Sequence, residues 1–327
     1  MFSNRYLIFG GTGSLGRTLV RRISTDPGTK FGNALVAVFS RDEAKHHKLS
    51  LEVEDVWSII GDVRNYDAVL KAIRDVKPNI IINAAAMKQV PICEDNPWEA
   101  VQTNIFGTQN IVRAVEELYP NVSAIFPKVK VLSISTDKAC KPVNSYGMTK
   151  ALQERLHLNG LADAVFSCVR YGNVLESTGS VIPVFKRLIA EGKDLPITDF
   201  NMTRFLLSLD QAVDLIFLAL GENRGGRIFI PHVKSAKIHD LAVAMIKASG
   251  KNLGCISTGI RPGEKIHEIL ISEEEKQRTA ILASHYEIWN FKSIMPVLPT
   301  FGGEYSSADH IMTPEELIRF LEDHKAL

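Results

Sequence analysis

Residues 6–16 read Tyr6-Leu7-Ile8-Phe9-Gly10-Gly11-Thr12-Gly13-Ser14-Leu15-Gly16. The four residues Tyr6–Phe9 carry no polar alternation and suit a strand covered on both faces, and apolar residues then recur at helical spacing from Leu15 to Ser24. Between the two, Gly10, Gly13 and Gly16 keep the G-x-x-G-x-x-G spacing that lets backbone amides at a helix start approach a pyrophosphate. A glycine loop alone is weak evidence. With a strand before it, a helix after it and another strand at Ala34–Phe39, it reads as a dinucleotide-binding unit, with Gly10, Thr12, Gly13, Ser14, Leu15 and Gly16 as cofactor contacts.

The same grammar continues outward. Trp57–Ile60, Ile80–Asn83, Val129–Ser133 and Ala164–Arg170 read as further strands, and Asp67–Arg74, Pro97–Leu118 and Ser145–Leu158 as helices between them. Apolar strands separated by helices predict an α/β fold: a Rossmann-type doubly wound parallel sheet. Glycines and prolines punctuate residues Tyr171 to Asp199, so residues 1–172 are expected to form the NADP-binding Rossmann domain. Residues 173–327 are expected to form a smaller, mainly substrate-binding C-terminal portion. The apolar helix within Leu209–Leu220 and the strand Arg227–Pro231 are candidates to return to the main sheet.

Composition sets outer bounds. A chain of 327 residues, 45% hydrophobic and 23% charged, can bury a large core, and its formal charge of +1 offers no bulk attraction to nucleic acid or an anionic membrane. No apolar run approaches bilayer length, and no export signal is read. The cysteines, Cys93, Cys140, Cys168 and Cys255, form no C-x-x-C pair, which fits reduced thiols in the cytoplasm. His46, His47, His232, His239 and His267 show no ligand spacing, so no metal is expected.

The second strand ends in Ser40-Arg41-Asp42, with Lys45 nearby. A hydroxyl, a guanidinium fork and an ammonium suit a ribose 2′-phosphate, so NADP is preferred, while Asp42 keeps NAD open and solvated surface charges are the plainer alternative. Asp62 and Val63, after the third strand, are placed for the adenine, though Asp62 equally suits a turn. Ala84, Ala85 and Ala86, after the fourth strand, allow close backbone approach or simply tight packing. Lys88 puts a cation at the carboxyl edge of the sheet, for cofactor or substrate phosphate.

After the fifth strand comes Ser135-Thr136-Asp137-Lys138-Ala139, followed by Tyr146-x-x-x-Lys150. Tyr146 and Lys150 lie one turn apart on a helix, where an ammonium can lower the phenol pKa and hold the nicotinamide ribose. An isolated pair of this kind is common on surfaces; its place after a Rossmann strand is what makes it catalytic. Asp137 and Lys138 add an acid and a base that hydride transfer does not require, unless they form only a surface ion pair. For Lys138 to act as a base its pKa must fall, through burial or through Lys150.

These stretches, with Thr103-Asn104-x-x-Gly107-Thr108, Val169-Arg170-Tyr171-Gly172-Asn173-Val174, Met202-Thr203-Arg204-Phe205 and Arg261-Pro262-Gly263-Glu264-Lys265, resemble the extended short-chain dehydrogenase/reductases. Within them they resemble the polysaccharide-biosynthesis group of UDP-N-acetylglucosamine 4,6-dehydratases. Tyr146 favours the inverting branch, which serves the pseudaminic acid pathway. The resemblance implies oxidation at sugar carbon 4 with Tyr146 as base, proton removal from carbon 5 by Lys138, and protonation of the leaving hydroxyl on carbon 6 by Asp137. It implies further that hydride returns to carbon 6 and that Thr136 steadies the carbon 4 oxygen. Asn173, Gly179, Ser180, Val181, Arg204, Arg261 and Glu264 would contact the UDP-sugar, and a homo-oligomer would form partly through helices Pro97–Leu118 and Ser145–Leu158. Two other readings stand beside it: a UDP-sugar 4-epimerase, which leaves Lys138 without a task, and a non-catalytic dinucleotide-binding sensor or scaffold.

Overall fold

The protein is described here by a computed structural model covering residues 4–25, 34–120, 129–175, 179–222, 225–290 and 302–327. The first half alternates strand and helix: β1 Asn4–Phe9, α1 Ser14–Thr25, β2 Ala34–Ser40, α2 Glu43–Glu52, β3 Val56–Ile60, α3 Tyr66–Val76 and β4 Ile80–Asn83. There follow α4 Val90–Asp95, α5 Pro97–Ala100, a π-helical segment Val101–Phe106, α6 Gly107–Leu118, β5 Val129–Ile134, α7 Ser145–Leu158 and β6 Ala164–Val169. The remainder holds β7 Asn173–Val174, α8 Val181–Ala190, β8 Leu195–Ile197, β9 Thr203–Leu207, α9 Leu209–Gly221, β10 Arg227–Pro231, β11 Ser235–Lys237 and α10 Ile238–Ser249. It closes with β12 Cys255–Ser257, β13 Ile269–Ile271, β14 Thr279–Ile281, β15 His285–Trp289, β16 Tyr305–Ser306 and α11 Pro314–Asp323.

Among the described residues the main sheet has nine strands in the order β14-β15-β10-β6-β5-β4-β1-β2-β3. It is parallel from β3 to β10, with β15 and β14 antiparallel at the far edge. Alternate residues feed opposite cores. Tyr6 and Ile8 of β1 pack with Leu19 and Val20 of α1 and Ile216 of α9, whereas Leu7 and Phe9 pack with Ile73 of α3 and Val115 of α6. β10 therefore joins the main sheet and α9 covers it beside α1. The chain reverses direction at β1, which lies between β2 and β4, and this opens a crevice at the carboxyl ends of the strands.

Two expectations change. Trp57 and Ile60 are exposed, because β3 is the edge strand and lacks the second cover given to the central strands. The helix expected over Pro97–Leu118 is broken by the π-helical turn, which buries both Thr103 and Asn104. Asn104 uses that position fully: it accepts from Met87 N at 2.8 Å and donates to Met87 O at 3.0 Å and to Thr149 Oγ1 at 2.9 Å. The wide turn thus ties the loop after β4 to α7.

Candidate active site

The carboxyl ends of the central strands open onto a cavity of about 1030 Å³ that reaches from the glycine loop to the C-terminal portion. Every expected cofactor contact lines it except Asp62, and so does every expected substrate contact. Of the expected catalytic group, Thr136, Lys138, Tyr146 and Lys150 reach its wall, while Asp137 lies behind them, fully buried.

The glycine loop fits a dinucleotide for three separate reasons. Gly10 turns with φ +78°, and a Cβ there would fall 2.7 Å from Ala85 N. A Cβ on Gly16 would fall 2.5 Å from the Gly11 backbone, so only glycine lets α1 pack against the loop. At Gly13 such a Cβ would meet Gly10 O at an ordinary 3.4 Å, and this residue faces the cavity where a pyrophosphate would need backbone amides. At the end of β2, Thr12 Oγ1 donates to Ser40 Oγ at 3.0 Å. Asp42 caps α2 by accepting from Lys45 N at 3.1 Å and pairs with Lys45 Nζ at 2.9 Å. Asp62 accepts from Arg64 Nε at 2.9 Å and lies 3.5 Å from Arg41, in the manner of a turn residue.

The residues expected to be catalytic come from two segments pressed together. Lys138 lies in a short 3₁₀ turn after β5, and Tyr146 and Lys150 lie on α7, whose N-terminus is capped by Asn144 accepting from Gly147 N at 2.7 Å. Gly147 makes the contact possible, because a Cβ there would be 2.3 Å from Lys138 O. The Thr136 hydroxyl donates to Asp137 Oδ1 at 2.9 Å and lies by the Tyr146 phenol, whose pKa it helps to lower. Lys138 Nζ donates to the same Asp137 oxygen at 2.9 Å and to Asn173 Oδ1 at 3.5 Å. Thr136, Asp137 and Lys138 therefore form one hydrogen-bonded string, with Tyr146 beside it.

Electrostatics correct two expectations. The pKa of Lys138 is raised rather than lowered: burial opposes the charge, but Asp137 and Glu268, the latter 3.5 Å away, outweigh it. Burial pushes the Tyr146 phenol up to about 12, and the cation acting against that rise is Lys138 rather than Lys150. Lys150 instead donates to Ile134 O at 2.6 Å and to Gln153, and burial lowers its pKa to about 8.

On the C-terminal side, Arg204 is buried and its Nη1 donates to Thr203 O at 2.7 Å and Ile266 O at 3.1 Å. Arg261 is at the rim, paired with Glu264 at 3.0 Å. Glu268 was not anticipated from sequence; its signal was an acidic residue directly before the apolar strand β13, just beyond the Arg261–Lys265 motif. The Arg170 network was also missed. This fully buried guanidinium bonds Glu154 of α7 at 2.7 and 2.9 Å and Glu275 at 2.8 Å.

Residues 6–290 match the model of a family described as polysaccharide biosynthesis protein. The chain is 41% identical over 305 residues to a UDP-N-acetylglucosamine 4,6-dehydratase (inverting) of Campylobacter jejuni, covering 90% of this chain and 84% of the relative. It is 38% identical over 325 residues to a UDP-glucose 4-epimerase of Rickettsia bellii, covering 97% and 89%. The X-ray structure of Pen from Bacillus thuringiensis, 33% identical, superposes with a TM-score of 0.89 over 100% of this chain and 99% of that one.

Proposed function

The chain belongs to the polysaccharide biosynthesis protein family, and from that premise we propose that it is a UDP-N-acetylglucosamine 4,6-dehydratase that inverts carbon 5. The observation that carries this reading is the Asp137–Lys138 pair, hydrogen-bonded to each other and to Thr136, beside Tyr146 on the cavity wall. A bound nicotinamide dinucleotide supplies the hydride acceptor for carbon 4 and the hydride donor for carbon 6. Gly10, Gly13 and Gly16 would cradle its pyrophosphate, and Lys150 would hold the ribose near the nicotinamide.

Tyr146 takes the carbon 4 hydroxyl proton, aided by the Lys138 ammonium that favours a phenolate. The resulting ketone acidifies the carbon 5 proton. Lys138 becomes a base by passing a proton 2.9 Å to Asp137, and the same transfer makes Asp137 an acid. The amine then removes the carbon 5 proton, the carboxylic acid protonates the departing carbon 6 hydroxyl, and the original ion pair is restored as water leaves. Once the planar intermediate has turned its other face to Lys138, the ammonium returns a proton to carbon 5, which inverts that centre. Thr136 lies by both Tyr146 and Asp137, so the proton gathered from carbon 4 can replace the one lost to water. Because Asp137 is buried behind the wall, its side chain must turn toward the cavity to reach the leaving hydroxyl.

NADP is the proposed cofactor. The Asp42 carboxylate caps α2 and pairs with Lys45, while Ser40, Arg41 and Lys45 stand on the cavity wall where a ribose 2′-phosphate would be bound. Arg204, Arg261, Glu264, Asn173, Lys88 and residues 179–181 are the proposed contacts for the UDP-sugar. A homo-oligomer is proposed through α5, the π-turn and α7, where Trp98, Phe106, Met148 and Leu152 are exposed. Among the described residues no helix is long and apolar enough to cross a membrane, and a cytoplasmic location is proposed.

The second reading is a UDP-sugar 4-epimerase, favoured by the Rickettsia relative's fuller coverage of the chain. Incubation with UDP-N-acetylglucosamine in deuterated water separates them. A product lighter by water, with deuterium at carbon 5, supports the dehydratase; a product of unchanged mass altered only at carbon 4 establishes the epimerase.

A further inference from the structure

We infer that Glu268 is a positioning residue that holds the Lys138 ammonium in the resting site and thereby opposes the transfer of its proton to Asp137 that makes Lys138 a base. The role of Lys138 rests on the dehydratase reading; the role of Glu268 rests on geometry. Glu268 lies on the cavity wall immediately before β13. Its backbone is clamped by Ser307, whose Oγ accepts from Glu268 N at 2.9 Å and whose N donates to Glu268 O at 2.8 Å. The side chain is 3% exposed, with Oε1 3.5 Å from Lys138 Nζ and 3.9 Å from Arg204 Nε. Oε2 is 3.6 Å from Lys265 Nζ and has no hydrogen-bond partner among the described residues.

These separations distinguish Glu268 from a structural ion pair such as that of Arg170, whose bonds to Glu154 and Glu275 are 2.7 to 2.9 Å long. Glu268 acts on Lys138 chiefly through charge, across 3.5 Å, from a carboxylate that is itself buried. Several groups face Lys138: Asp137 in its own turn, Asn173 of β7, Arg204 of β9, Tyr146 of α7, and Glu268. Arg204 favours the amine, whereas the two carboxylates favour the ammonium. Asp137 exchanges the working proton with Lys138. Glu268 takes no part in that exchange and only biases it, while Lys265, held by Cys140 O at 2.7 Å, and Arg204 offset its own buried charge.

Wild-type and Glu268→Gln proteins, both loaded with cofactor, are compared across pH by two measurements. The first is turnover of UDP-N-acetylglucosamine to a dehydrated product. The second needs no turnover: acetic anhydride labelling of the Lys138 amine, read by peptide mass mapping. In the Gln variant the labelling midpoint should move to lower pH by about one unit or more, which is about tenfold more free amine at a given pH below the midpoint. Coincident labelling midpoints overturn the inference whatever turnover shows. A shifted midpoint, with no dehydrated product from the wild type, sinks the dehydratase reading and leaves the hold of Glu268 on Lys138 standing. If the Gln variant does not fold, Glu268→Asp draws the charge back by one methylene and should give a smaller shift in the same direction; an unmoved midpoint there also overturns the inference.

Discussion

Charge at single residues decides what this cavity can do, and two lysines divide the task. Lys138 is kept charged by carboxylates, while Lys150 is buried with its ammonium disfavoured and a pKa near 8 against the usual 10.5. For Lys150 the sign is definite: between pH 10.5 and 8 the unfolded chain binds more of the proton, so its contribution to stability rises with pH across that window and is at its least favourable below it. Lys150→Met should therefore compare best with wild type near neutral pH and lose ground as the pH rises through the window. Thermal midpoints of the two proteins at several pH values check this; a difference independent of pH would contradict it. The Tyr146-x-x-x-Lys150 pair and the Lys138 turn were legible in the sequence because each is local. The pKa of Lys138 was not, because Glu268 reaches it from a distant segment and reverses the shift that burial alone would give.

At the scale of elements, the glycine loop separates folding from binding. Gly16→Ala should destabilise the protein, since its methyl would meet the Gly11 backbone at 2.5 Å, at a cost of about 1–3 kcal/mol from overpacking. Gly13→Ala faces the cavity and should keep wild-type stability while weakening dinucleotide binding at least about tenfold, close to 1.4 kcal/mol. Calorimetric melting and cofactor titration of both variants test this; equal melting losses would undo the distinction. The loop, α1 and α7 could be read from spacing and capping residues. The π-helical turn could not, because a buried Asn104 bonded to Met87 and Thr149 imposes it through tertiary contacts. The helix α8 was hidden by the glycines and proline around it.

For the whole molecule, the Arg170 network joins the helix that carries Tyr146 to the C-terminal portion. Removing its cation in Arg170→Met would strand two buried carboxylates and should cost about 3–5 kcal/mol. Burial would raise the pKa of Glu275, but Arg170 outweighs it and holds the carboxyl at about 2, below the usual 4.5. Its stabilising contribution is present above pH 4.5 and is lost as the pH falls toward 2. Urea melts should show wild type losing stability through that acid range and Arg170→Met losing much less of it. The parallel half of the sheet was readable from apolar runs, whereas β7, β8, β11, β12, β13 and β16 are two or three residues long and exist only through distant partners.

The central claim is that Lys138 is the base of a water-eliminating reaction. Its most direct test is mass spectrometry and proton NMR of UDP-N-acetylglucosamine incubated in deuterated water with wild type and Lys138→Ala in parallel. Wild type should give a product lighter by water, deuterated and inverted at carbon 5, and Lys138→Ala should give at least about a thousandfold less. A wild-type product of unchanged mass, or an alanine variant that still eliminates water at the wild-type rate, would contradict the account.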